Sequence, residues 1–113
     1  MSQTDIIAPL KGRTIIEFVA AGGSEVTRWA VALAGRIAGD FGATVIKVEP
    51  PGGDALRRTG PFVQGKDGRP ESAAFAFLNG GKRSLALSGG ATDGALLSAL
   101  AGKLGSWARR AAL

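Results

Sequence analysis

The stretch Ala43-Thr44-Val45-Ile46-Lys47-Val48-Glu49-Pro50-Pro51-Gly52-Gly53-Asp54 decides the fold: a β-branched run that stops at two prolines and two glycines. Residues 43–48 read as a buried strand, because Val, Ile and Thr suit a pleated surface covered on both sides. Upstream, Thr14-Ile15-Ile16-Glu17-Phe18-Val19 is a second run of this kind, expected as a strand at 14–19. Between the two, Val26, Trp29, Leu33, Ile37 and Phe41 recur at spacings of three and four. That is one face of an amphipathic helix, with Arg28 and Arg36 off the face. Ser24 suits the N-cap, Glu25 suits the first turn beside the helix dipole, and the helix is expected at 25–38. Strand, helix and strand with tight connections make a right-handed βαβ unit with parallel strands.

Downstream, residues 49–71 are rich in Pro, Gly and charge and read as a long loop, which in a small domain points to function more than to filler. Ser72-Ala73-Ala74-Phe75-Ala76-Phe77-Leu78 is a short apolar element, helix or strand, at 72–78. Residues 83–87, within Lys82-Arg83-Ser84-Leu85-Ala86-Leu87, read as a third strand, and a last helix is expected at 93–111 on the stripe Leu96, Leu97, Leu100, Leu104, Trp107 and Ala111. The expected fold is a single α/β domain over residues 1–113: an open parallel, Rossmann-like sheet of about three strands flanked by helices.

Composition narrows the chemistry. The chain has 113 residues and no His, Cys or Tyr. Zinc fingers, Ser-His-Asp and Cys-His nucleophile systems, disulfides and thiol redox sites are thereby excluded, and no metal is expected. No apolar run reaches the roughly 18 residues of a membrane span, and the start lacks a basic then apolar leader, so a cytoplasmic protein without a membrane partner is expected. Residues 1–50 carry five basic and five acidic groups, whereas residues 51–113 carry nine and four, so the whole net charge of +5 sits in the second part. A basic, Gly-rich segment suits an anionic ligand such as a nucleotide, a phosphate or a nucleic acid, although a merely solvated basic surface has the same composition.

Two turns invite a phosphate reading. Ala20-Ala21-Gly22-Gly23-Ser24-Glu25 joins the first strand to the first helix, and Glu49 ends the next strand where a ribose hydroxyl is held in dinucleotide-binding units. The turn is not G-x-G-x-x-G, however, and Glu25 sets a negative charge where a pyrophosphate would lie. Gly80-Gly81-Lys82-Arg83-Ser84 lacks the P-loop spacing, yet it offers backbone N–H groups and two cations. Phe75 and Phe77 near Lys82 and Arg83 would serve base stacking, but Phe at that spacing more often builds a core. Of the nine carboxylates, none stands in a recognisable arrangement with a nucleophile; Asp54 and Glu17 are the least ordinary in position.

Three segments together resemble the N-terminal part of the class III CoA-transferases, the family of formyl-CoA transferase, carnitine CoA-transferases and α-methylacyl-CoA racemase. They are Leu10-Lys11-Gly12-Arg13 ahead of the first strand, residues 40–54 with Arg57, and Phe77-Leu78-Asn79 followed by Gly81-Lys82-Arg83-Ser84-Leu85-Ala86-Leu87. The resemblance covers residues 10–87 well and 91–104 loosely. It implies an open α/β fold, truncated relative to the family, whose N-terminal domain carries coenzyme A or an acyl-CoA as substrate. It implies, too, a reaction in which CoA passes between carboxylates through an acylated aspartate. On the matching positions, Pro50 falls where the chain passes the adenine, and Leu87 and Ser88 where the loop after the third strand meets the CoA. Lys82 and Arg83 match a basic pair that acts on phosphates or orients the turn.

The departures from the family are also specific. The reacting aspartate of the family lies downstream of the Lys-Arg-Ser motif, and none of the five Asp here matches its context, so no catalytic residue is assigned and the chain is expected to be inactive alone. Ser88-Gly89-Gly90 stands where the family continues with an acid and a Lys. The expected partners are CoA or acyl-CoA and either a second copy or a longer homologous chain. A non-catalytic assembly domain of the same fold is the alternative, and a basic nucleotide- or nucleic-acid-binding module stands third.

Overall fold

A computed structural model describes residues 7–19 and 23–103. Strand β1 (Thr14–Phe18) leads to helix α1 (Glu25–Asp40) and strand β2 (Thr44–Glu49). A 3-10 helix (Ala55–Arg58), two short strands, β3 (Phe62–Gln64) and β4 (Pro70–Ser72), and helix α2 (Ala73–Asn79) follow. Strand β5 (Arg83–Ala86) and helix α3 (Asp93–Lys103) complete the order. The protein is thus a mixed α/β structure built on a three-stranded parallel sheet in the order β1-β2-β5.

The 49–71 segment is more structured than its composition predicts. It holds the 3-10 helix and an antiparallel ribbon of β3 and β4, in which Phe62 pairs with Ser72 and Gln64 with Pro70. Three-residue strands fall below the length at which alternation is readable, and Pro70 sits at a strand start, where its missing N–H costs nothing. The last expected helix is seen over Asp93–Lys103; residues 104–111 of the expected span lie outside the described residues, as does the turn at 20–22.

Register fixes which side chains share a face. Ile15 pairs with Val45 and Glu17 with Lys47, which in turn pairs with Ser84. With side chains alternating along a strand, these residues and Glu49 point to the face that α1, the 3-10 helix and α2 cover. The opposite face carries Ile16, Phe18, Ile46, Val48, Leu85 and Arg83, and Phe18 is 58% exposed there. The core is small: Ala32, Leu56 and Leu78 are buried together, with Phe75 packed against them.

Helix α1 begins as expected. Ser24 caps it, its Oγ accepting from Thr27 N at 3.2 Å, with Glu25 in the first turn. Its orientation is a correction. An apolar stripe ordinarily faces the core, yet Val26, Trp29, Leu33, Ile37 and Phe41 are all exposed, and the buried residues of the helix are Ala32 and Gly35. The reason is proximity. A β-carbon on Gly39 would lie 3.7 Å from Val45 Cγ2, and one on Gly35 would meet Glu17 and Lys82. The helix approaches the sheet through its smallest side chains, and its large ones are turned outward.

Candidate functional site

The sheet face under α1 is charged rather than apolar. Lys47 Nζ lies 2.6 Å from both Glu17 Oε2 and Asp54 Oδ2, and Lys82 Nζ lies 2.6 Å from Glu17 Oε1. All four side chains are nearly inaccessible, at 3–8% exposure. Two cations and two carboxylates cancel within the cluster, which is the condition for burying charge at tolerable cost. For Lys47, burial works to lower the pKa, but hydrogen bonds to Asp54 and Glu17 outweigh it and the ammonium titrates above its usual range. For Lys82 burial, seconded by the nearby Lys47 charge, wins over the attraction of Glu17 and Asp54, and the pKa falls.

Of the two roles expected for Lys82, on phosphates or in orienting the turn, its contacts here are those of the second. Its three protons are taken by Glu17 Oε1, Ala32 O at 2.7 Å and Asn79 Oδ1 at 2.8 Å. The ammonium thus ties β1, α1 and the end of α2 together and has no donor left for a ligand.

A second set of contacts folds the loop after β2. Glu49 accepts from Arg57 Nε at 2.7 Å, Arg57 Nη2 at 2.8 Å and Asp54 N at 2.9 Å, and also from Ser84 Oγ. The Arg57 guanidinium stacks 4.0 Å from the centre of the Phe75 ring. These bonds, led by the Arg57 fork, hold the Glu49 carboxyl down at about 2. Asp54 caps the 3-10 helix through Leu56 N at 2.9 Å. Gly52 and Gly53 take φ of 86° and 87°, which two successive non-glycine residues would resist. The quoted string from Glu49 to Asp54 is thus a device that turns the chain away from the strand end and holds it there.

That turn forms one wall of a cavity of about 220 Å³ at the carboxyl ends of β1 and β2. Val19, Val48, Pro50, Pro51 and Ala55 give it apolar surface, Arg28 and Arg58 add cations, and Glu17, Lys47 and Asp54 of the charged cluster also line it. Arg28 is half-buried, and Arg58 is exposed and donates to Gly52 O at 3.0 Å. Clefts at the carboxyl ends of parallel strands are the usual ligand sites of open α/β sheets.

The residues singled out from the sequence divide between two ends of β5. Pro50 lines the cavity. Leu87 N donates to Glu49 O at 2.9 Å, which sets Leu87 beside Pro50. Ser88 follows, its N and Oγ donating to Asp93 Oδ1 at 3.0 and 2.9 Å, and the adjoining Gly89 abuts Pro51. Arg83 stands apart. It pairs in register with Ile46, is exposed on the sheet face opposite α1, and lies about 13 Å along the strand from Leu87 at roughly 3.3 Å per residue. Arg28 and Arg58 were legible only as charges in a helix and a loop; the topology is what brings both to the strand ends.

The three-stranded parallel sheet flanked by helices, with an apolar and cationic cleft at its carboxyl edge, is a mixed α/β fold. The family model for CoA-transferase family III matches residues 10–102, and the chain belongs to that family. It is 46% identical over 82 residues to succinate–glutarate CoA-transferase of Agrobacterium fabrum, a match covering 68% of this chain and 18% of that protein. It is likewise 46% identical over 54 residues to succinyl-CoA:mesaconate CoA-transferase of Haloarcula marismortui, over 48% of this chain and 14% of the relative. Among solved structures, a hypothetical protein of Mycobacterium tuberculosis superposes with a TM-score of 0.64 at 31% identity, over 86% of this chain and 24% of that one. A CaiB/BaiF family protein of Brucella suis does so with a TM-score of 0.56 at 36% identity, over 70% and 19%. The chain therefore spans less than a fifth of the curated relatives it matches. Among the described residues, no helix is long and apolar enough to cross a membrane.

Proposed function

We propose that this chain is the CoA-binding portion of a class III CoA-transferase and does not transfer acyl groups by itself. The observation that carries the reading is the cleft at the carboxyl edge of β1 and β2, where Pro50 and Pro51 offer a flat apolar surface and Arg28 and Arg58 offer charge. In this reading Pro50 takes the adenine, Leu87 and Ser88 border the pantetheine, and Arg28 and Arg58 face the phosphates. Arg83, exposed at the far end of β5, meets at most the outer part of the ligand, and Lys82 acts only by holding the sheet to α1 and α2. The acylated aspartate of the family has no counterpart in the chain, so the chemical step needs residues that this chain does not supply.

Isothermal titration with CoA and with acetyl-CoA tests the binding. Heat is expected in the micromolar to millimolar range and is weakened at least fivefold in Arg28→Ala and Arg58→Ala. Absence of heat at millimolar ligand would end the proposal. Succinyl-CoA incubated with carboxylate acceptors should give no exchange by this chain alone; turnover would show that the reacting carboxylate lies within it.

A further inference from the structure

The two buried lysines of the cluster differ in how completely they are bonded. Lys82 Nζ donates to Glu17 Oε1, Ala32 O and Asn79 Oδ1, so each of its three protons has an acceptor. Lys47 Nζ lies 2.6 Å from Glu17 Oε2 and from Asp54 Oδ2, and among the described residues it has no third acceptor. Its side chain is 4% exposed. The Phe75 ring does not account for the remaining proton. The ring centre is 5.8 Å from Nζ, near the outer limit of a cation–π contact, and the Arg57 guanidinium, at 4.0 Å, is much the closer cation. Because this ammonium titrates above its usual range, all three protons are present at neutral pH.

A buried donor is ordinarily paired, and Lys47 lines the cleft at the ends of β1 and β2 together with both of its carboxylate partners. We infer that Lys47 donates its third proton to a neutral acceptor on the ligand, a ring nitrogen or carbonyl oxygen of a flat heterocycle, and so selects which heterocycle the cleft takes. The inference deepens the CoA-binding reading and rests on it.

Charge argues for a neutral acceptor. Glu17 and Asp54 already bring two negative charges to one ammonium. A phosphate or carboxylate oxygen on the same ammonium would be a third, in surroundings that screen it poorly. A neutral acceptor completes the set without adding charge, and Arg28 and Arg58 are left for the anionic part of the ligand. Size agrees. At about 220 Å³ the cavity falls below the roughly 300–1,000 Å³ that takes a whole drug-sized molecule, so it holds a part of one. Val48, Pro50 and Pro51 give that part an apolar bed suited to a ring.

Replacing Lys47 would strand Glu17 and Asp54, so the test keeps the chain intact and changes the ligand. In the full chain carrying isotope-labelled lysine, saturating CoA should shift the side-chain ammonium resonance of Lys47 and leave that of Lys82 in place. Millimolar inorganic phosphate should move neither. Adenosine should bind at millimolar concentration and shift Lys47 alone. Of its three deaza analogues that each lose one acceptor nitrogen, one should bind at least tenfold more weakly, because it leaves the Lys47 proton unpaired. Heat on CoA addition with an unmoved Lys47 resonance would overturn this inference and leave the binding reading standing. Equal binding of the three analogues, or a Lys47 shift with phosphate alone, would overturn it as well. Absence of heat with CoA would end both.

Discussion

Gly35 of α1 lies directly over the Glu17 carboxylate of β1: a β-carbon at position 35 would collide with Glu17 Oε1 and stand 3.0 Å from Lys82 Nζ. Replacing Gly35 by Ala inside a helix ordinarily gains about 1 kcal/mol. Here overpacking against a buried ion pair, typically about 1–3 kcal/mol, opposes that gain. Gly35→Ala is expected to be destabilising by about 1–2 kcal/mol, read as a lower urea midpoint with an unchanged slope. A rise in the midpoint would show that the carboxylate has room to move.

Glu17 is shared by two lysines, so removing its charge strands both unequally. Lys47 keeps Asp54, whereas Lys82 keeps only neutral acceptors. Breaking a buried pair from one side costs about 3–5 kcal/mol, and Glu17→Gln is expected to fall in that range. Lys82→Met in the same background should recover a large part of the loss, since it removes the uncompensated cation. A double-mutant cycle with no coupling would contradict the shared arrangement.

Glu49 gives the protein its acid sensitivity. Its carboxyl is held at about 2 against an ordinary 4.5, first by the Arg57 fork and then by Ser84 Oγ and Asp54 N. A carboxyl depressed on folding stabilises fully above its unfolded value and loses that contribution as pH falls through the folded one. Stability should accordingly decline between about pH 4.5 and 2, and Glu49→Gln should be less stable at neutral pH with a shallower decline over that window. Urea midpoints measured from pH 7 to pH 2 check both statements.

Arg57 combines a two-pronged bond to Glu49 with stacking on Phe75. Lys keeps the charge but neither the fork nor the planar face. Arg57→Lys should cost about 1.5–3 kcal/mol, the worth of hydrogen bonds to a charged group. It should also loosen the loop from Pro50 to Asp54, visible as faster amide exchange at Asp54 and Leu56. Exchange unchanged from the parent chain would remove Arg57 from the folding of that loop.

How much of this was legible in the sequence differs by element. The strands at Thr14–Phe18 and Thr44–Glu49 and the helix between them followed from β-branched runs and a helical period, and the resemblance followed from the string around Glu49. The orientation of α1 did not. Periodicity finds a stripe but cannot say whether the sheet beneath is apolar, and here Glu17, Lys47 and Lys82 claim that space. One signal was present: Glu17 and Lys47 interrupt otherwise apolar strands at register-matched positions, and Gly35 and Gly39 are spaced to admit a close approach. The cleft was half legible. Pro50 and Leu87 came from the motif, whereas Arg28 and Arg58 are far apart in sequence and meet only through the parallel crossover.

The strand order β1-β2-β5 runs one way across the sheet, so right-handed crossovers lay α1 and α2 on the same side. Any strand joining beyond β1 would reverse that direction, and its crossover would have to pass over the side that carries Ile16, Phe18 and Ile46. Reversal of strand order is what opens a crevice in a doubly wound sheet, at the carboxyl ends of the two strands where the order turns. In this chain that point is the end of β1, at Phe18 and Val19, beside the cleft. A longer polypeptide built on this sheet would thus deepen a site already lined by the charged cluster and the prolines.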